Sequence, residues 1–194
     1  MNTENAIVTA IFNGISFSSE EESLIASKLE KISLKKGHLL LKAGKTVHHQ
    51  YYVATGCLRT YFIDNSGKEH TVQFAIKDWW ISDYTAFFST EKAILNIESI
   101  QEATLYEISK ENMDILFREV PVLESFFRKK MERAFANFQK RILANLAQPA
   151  KERYVSFLKM YPTIEQRVKN YHIASYLGIT TESLSRIRKV LTQP

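Results

Sequence analysis

His172-Ile173-Ala174-Ser175-Tyr176-Leu177-Gly178-Ile179-Thr180-Thr181-Glu182-Ser183-Leu184-Ser185-Arg186-Ile187-Arg188-Lys189-Val190-Leu191 reads as two helices joined by a tight turn. Ile173, Ala174 and Leu177 share one face of the first helix, and Ala174 is small enough for two helices to cross closely. Gly178 falls where the helix must end, since glycine takes the left-handed conformation at little cost. Ile179 plugs the turn, and Thr180 or Thr181 supplies the hydroxyl that caps the next helix. Leu184, Ile187 and Leu191 form the inner face of that second helix. Thr181, Glu182, Ser183, Ser185, Arg186 and Lys189 are left facing outward.

That outer set suits nucleic acid. Arg pairs with both guanine acceptors, Glu accepts from cytosine N4, and Ser or Thr adapt to several base edges. A recognition helix brings its N-terminal residues to the bases. Arg188 and Lys189, at its far end, are placed to meet phosphates. The sequence therefore predicts a DNA-binding helix-turn-helix. The competing reading is a protein-interaction module whose helix-turn-helix no longer reads DNA.

Charge agrees with the first reading. The 194 residues carry a net +5. Residues 1–150 hold 18 basic and 18 acidic side chains, whereas residues 151–194 hold eight basic and three acidic ones. The whole excess thus sits beside the quoted segment, as electrostatic attraction of a polyanion requires.

Upstream, Leu123, Phe127, Met131, Ala134, Phe138, Ile142 and Leu146 recur at spacings of three and four, with Phe126 and Phe135 widening the stripe. They predict one long helix from about Val120 to Ala147. A helix so long and so apolar needs a partner, and both the rest of the chain and a second copy are expected to serve. Gln148-Pro149 ends it. Ala150 to Met160 then reads as a helix with Tyr154, Val155 and Leu158 inward.

From His38 to Ile108 the pattern is of strands. The runs are His38–Lys42, Tyr51–Val53, Cys57–Ile63, His70–Ile76, Ile94–Ile100 and Thr104–Ile108, punctuated by Gly37, Gly44, Gly56 and Gly67. Regularly spaced turns between short runs predict an all-β roll. Asp64-Asn65-Ser66-Gly67 is a hairpin turn. Before the strands, Ser19-Glu20-Glu21-Glu22 predicts a capped helix.

Several function classes are excluded. A lone cysteine, Cys57, cannot make an internal disulfide or a Cys-rich metal or iron–sulfur site. His38, His48, His49 and His70 gather in the strand region, but no spaced carboxylate completes a ligand set, so neither a metal site nor a metal-dependent β-barrel enzyme is expected. No nucleophile–base pair, P-loop or dinucleotide motif is present, and no cofactor is expected. No apolar run approaches the ~18 residues that span a bilayer. The first ten residues lack a basic segment and do not read as a signal peptide, so a cytoplasmic protein with no membrane partner is expected.

Taken together with Leu41-Lys42-Ala43-Gly44-Lys45, Tyr51-Tyr52-Val53, Gly56-Cys57-Leu58-Arg59 and Asp64-Asn65-Ser66-Gly67-Lys68-Glu69, the chain resembles the Crp/Fnr family of bacterial transcription regulators over nearly its whole length. The resemblance implies an α+β fold. It would comprise an N-terminal double-stranded, jelly-roll-like β-roll, a long dimerisation helix, and a C-terminal helix-turn-helix. It implies a cyclic-nucleotide-binding-like sensor domain over 1–118, the dimerisation helix over 119–147 and the DNA-binding domain over 148–194. It further implies a homodimer on a palindromic double-stranded operator, and admits RNA polymerase as a further partner. Thr181, Glu182 and Arg186 fall where such proteins place base-reading side chains.

Two departures stand out. Nucleotide-binding members carry a Gly-Glu pair and a later Arg-Ser or Arg-Thr pair that holds the cyclic phosphate. Here Ile81-Ser82 and Ala93-Ile94 align with them. Methyl groups cannot replace a guanidinium on an anion, so the roll is expected to have lost cyclic nucleotides. Trp80, Ser82, Asp83, Tyr84 and Leu95 are the expected lining of any pocket for an unknown effector. The sequence also ends at Pro194, leaving the wing that follows the recognition helix expected to be incomplete.

Overall fold

A computed structural model describes residues 3–89 and 91–192. Two short helices, α1 (Thr3–Ile11) and α2 (Ser19–Ser27), precede eight strands. These are β1 (Glu30–Leu34), β2 (Leu39–Leu41), β3 (His49–Thr55), β4 (Cys57–Ile63), β5 (Glu69–Ile76), β6 (Trp80–Ile81), β7 (Asn96–Ser99) and β8 (Ala103–Ser109), with helix α3 (Tyr84–Ser89) between β6 and β7. Then come α4 (Lys110–Glu119), α5 (Val122–Ala147), α6 (Ala150–Met160), a 3-10 turn (Ile164–Gln166), α7 (Asn170–Leu177) and α8 (Thr181–Thr192).

The strands form two antiparallel four-stranded sheets, ordered β1-β8-β3-β6 and β2-β7-β4-β5. Their facing sides close over Val53, Leu58, Ala75, Ile81, Ile97 and Leu105. This is the expected β-roll. Phe12, Ile25, Leu116, Leu123 and Phe127 from the flanking helices join the same core. Gly56 makes the β3–β4 turn at φ +96°, and a Cβ there would lie 2.5 Å from the Glu102 carbonyl oxygen, so no other residue fits.

The capped helix starts one residue earlier than expected: Ser18, not Ser19, caps α2, with Glu21 closing the box. The expected long helix is α5, one element over Val122–Ala147, preceded by a separate helix, α4. Val120 closes α4, and Pro121 opens α5. Only the start of α5 is buried, at Leu123 and Phe127. Further along, Phe135, Phe138, Ile142, Leu143 and Leu146 stand 43–80% exposed.

A second core joins the roll to the C-terminal helices. Phe74 and Cys57 from the roll are packed with Tyr154, Phe157, Tyr161, Ile173, Ala174, Leu177 and Leu184. On α6, Phe157 is more buried than the expected Val155 and Leu158. Phe74 lies edge-on to Tyr161 at 5.8 Å, and Trp79 stands 5.2 Å from Tyr161.

Candidate nucleic-acid interface

The turn between α7 and α8 is built as the residues dictate. Gly178 adopts φ +67° and its N–H returns to the Ala174 and Ser175 carbonyls. The cap is Thr180: its hydroxyl accepts the Ser183 N–H at 3.2 Å and its carbonyl accepts the Leu184 N–H at 3.0 Å. Ile173, Ala174, Leu177 and Leu184 are buried where the helices cross. Leu191, expected inside, is 39% exposed beside Val190 at 55%.

Glu182, Ser185, Arg186 and Lys189 face solvent, while Thr181 and Ser183 are half-buried. The Glu182 carboxyl is held below the usual range by its own backbone N–H and by the Thr180 and Thr181 hydroxyls, so it is ionised at neutral pH. Arg186 reaches the Ser183 hydroxyl only at 3.4 Å, so little restrains its guanidinium.

Arg188 is a correction. Instead of reaching outward to phosphates, it turns into its own domain. Nε donates to the Tyr154 hydroxyl at 2.9 Å and Nη1 to Asn170 Oδ1 at 2.6 Å. Nη2 lies 2.7 Å from Glu165, close as an ion pair but not aligned as a hydrogen bond. Position 188 lies four residues after Leu184, on the inward stripe, which is why it finds these partners.

The helix-turn-helix is fixed to the roll. β5 is an edge strand, and its outward backbone groups need partners. Ser175 of α7 supplies them, donating to the Glu69 carbonyl and accepting the Thr71 N–H, both at 2.9 Å. Arg141 of α5 donates to the Val72 carbonyl and stands 5.0 Å over the Tyr176 ring. A crevice of about 260 Å³ remains between the β4–β5 hairpin and the start of α8.

The expected effector residues are engaged elsewhere. Trp80 packs edge-on against Tyr52 and Phe127, with its buried Nε1 unpartnered among the described residues. The Ser82 hydroxyl donates to the His49 carbonyl at 2.9 Å. Asp83 is fully buried, and one carboxylate oxygen accepts the N–H groups of Ile94 and Leu95 at 2.8 and 3.0 Å. Tyr84 stacks on Phe88, and burial pushes its hydroxyl pKa up. Leu95 is half-buried. None of the five lines the 260 Å³ crevice or the larger groove beside His48, His49 and α4. Among the described residues, no group of three or more His, Cys, Asp or Glu is placed to hold a metal.

Roll, long helix and helix-turn-helix together define a class of architecture: a β-roll joined through one long helix to a helix-turn-helix. Residues 31–119 match the cyclic nucleotide-binding domain. The chain is 25% identical over 166 residues to the transcriptional activator protein Anr of Pseudomonas protegens, covering 79% of this chain and 67% of that protein. It is 25% identical over 174 residues to the anaerobic regulatory protein of Pasteurella multocida, covering 81% and 61%. It thus spans about two thirds, or less, of these relatives' length. The structure of FixK2 from Bradyrhizobium japonicum superposes with a TM-score of 0.73 at 16% identity, over 84% of each chain. CLP of Xanthomonas campestris, a regulator described as responsive to c-di-GMP, superposes at 0.71 with 14% identity, over 90% and 91%. Residues 31–119 thus match a cyclic nucleotide-binding domain, and the chain as a whole is similar in sequence to Anr-type regulators and in fold to FixK2 and CLP.

Proposed function

We propose that this chain is a DNA-binding transcription regulator, not an enzyme, acting as a homodimer on a palindromic operator. The observation that carries the reading is α8. It is held rigidly by the Thr180 cap and the Arg188 clamp, yet presents Glu182, Ser185, Arg186 and Lys189 to solvent. Rigid backing and a polar, exposed outer face suit base reading. The exposed stripe on α5 supports a partner copy. Five large apolar side chains on one helix are too costly to leave in water. The relatives named as transcriptional activators and regulators agree. RNA polymerase is a natural further partner of such a protein.

The roll, on this reading, does not take cyclic nucleotides. Ala93, aligned with the phosphate-holding arginine, is buried and carries no charge. The neighbouring N–H groups of Ile94 and Leu95 are already satisfied by Asp83. A cyclic phosphate would meet a buried carboxylate, which repels it.

The test is a gel shift with random-sequence duplex over a salt series. The reading predicts affinity that falls steeply as salt rises, because phosphate contacts release counterions. Binding without salt dependence, or none at 50 mM salt, would leave the protein-interaction module as the better reading.

A further inference from the structure

We propose that the β4–β5 hairpin of the roll is itself part of the DNA contact: the crevice beside α8 receives a backbone phosphate, held by Lys68 and Lys169. This rests on the DNA-binding reading and extends the footprint from the helix-turn-helix to the sensor roll.

Four acids lie on or near the hairpin, and each has a local partner. Buried Arg59 holds both Glu69 and Glu98, each at 2.5 Å. Asp64 is paired with His70 at 2.7 Å and bonded to Ser66. The fourth, Asp78, accepts from Tyr52 at 2.6 Å, at the far end of β5. Lys68, by contrast, is exposed and has no carboxylate partner among the described residues. Lys169, just before α7, also has none, and its ammonium lies 5.7 Å over the Tyr171 ring. Lys68 thus lines the crevice, and Lys169 reaches over Tyr171, another of its lining residues.

Lys68, Tyr171, His172 and Thr181 line the crevice together with the Arg59–Glu69 ion pair, whose guanidinium offsets the Glu69 carboxylate. Thr181 opens the recognition helix, whose N-terminal turn enters the major groove. The first helix of such a motif crosses the DNA backbone, which would bring a phosphate alongside α7. Lys68, on the wall of the crevice, would face it. His172 is 5% exposed, its ring 4.0 Å from that of Tyr171, and its Nδ1 lacks a partner among the described residues. A buried polar atom without a partner is costly, and an anion at the crevice would offer it an acceptor. Ser175 locks the hairpin to α7, so the lysine is carried to the duplex with the helix.

The test uses the full chain with Lys68→Ala, Lys68→Arg and Lys169→Ala, against an operator and random DNA over a salt series. Each alanine variant should lower the salt slope by about one per protomer and weaken both DNAs alike. At 0.15 M salt the loss is on the order of fivefold per protomer. Lys68→Arg should restore the wild-type slope. An unchanged slope for Lys68→Ala, with Arg186→Ala still altering base preference, overturns the hairpin contact and leaves the DNA reading intact. Tighter binding by Lys68→Ala also overturns it, since the hairpin would then obstruct the duplex. A wild type with no salt-dependent binding overturns both.

Discussion

Arg186 and Arg188 are two residues apart and have opposite fates. Arg186 is exposed and held only by the Ser183 hydroxyl at 3.4 Å, whereas Arg188 ties α8 to Tyr154, Asn170 and Glu165. Arg186→Ala should cost ~1–3 kcal/mol in operator binding and relax preference at one base pair per half-site. It should leave the unfolding midpoint in urea unchanged. Arg188→Ala should do the reverse, losing about 1–3 kcal/mol of stability through its charge-assisted bonds while the preferred sequence stays the same. His172 gives a pH signature. Burial, followed by the nearby Arg59, lowers its pKa to about 4, with Glu69 opposing and Lys169 adding to the effect. The unfolded histidine takes up its proton near pH 6.5. Between these values the unfolded state binds more protons, so stability is full above about pH 6.5 and declines towards pH 4. Urea unfolding at pH 7, 6 and 5 should show that slope in wild type and a flatter one in His172→Gln. Much of this site was legible in the sequence. Gly178, the capping threonines and the outer polar set follow from local spacing. Arg188 was misplaced because its charge suggested solvent, although its i+4 spacing from Leu184 puts it on the inward stripe.

At the scale of elements, α5 carries the clearest prediction. Phe138 is 48% exposed in the single chain, so Phe138→Asp costs the monomer little. In a dimer the same change buries an unpaired charge. Sedimentation should show wild type as a dimer at micromolar concentration and the variant as a monomer with ordinary circular dichroism. A monomeric wild type would contradict the dimer. The strand segment and the long apolar stripe were readable because both depend on period. Elements α1, α3, α4, β1 and β6 were not read. β6 is two residues long, and β1 is largely solvent-facing, so neither leaves a periodic trace. The start of α4 did leave one in Ser109, whose hydroxyl accepts the Asn112 N–H. The segment around Asp83 makes a further prediction: calorimetry should detect no binding of cyclic AMP or cyclic GMP, and a micromolar dissociation constant for either would contradict it.

Across the whole molecule, roll and helix-turn-helix share one core and are not beads on a linker. Phe74 is fully buried between them. Nothing local in the sequence marks Phe74 or Trp79 as interdomain, because a strand residue facing a distant helix looks like any other core residue. A rigid chain of this kind, paired along α5, would set the two α8 helices at a fixed separation. On one face of a duplex that separation should be about 34 Å, one helical turn. The central claim is that α8 reads DNA bases, and selection from a pool of random duplexes tests it most directly. The account predicts that wild type enriches a palindrome with half-sites one turn apart, and that Arg186→Ala enriches the same palindrome with one position per half-site relaxed. No enriched sequence with wild type, or an unchanged palindrome with Arg186→Ala, would contradict it.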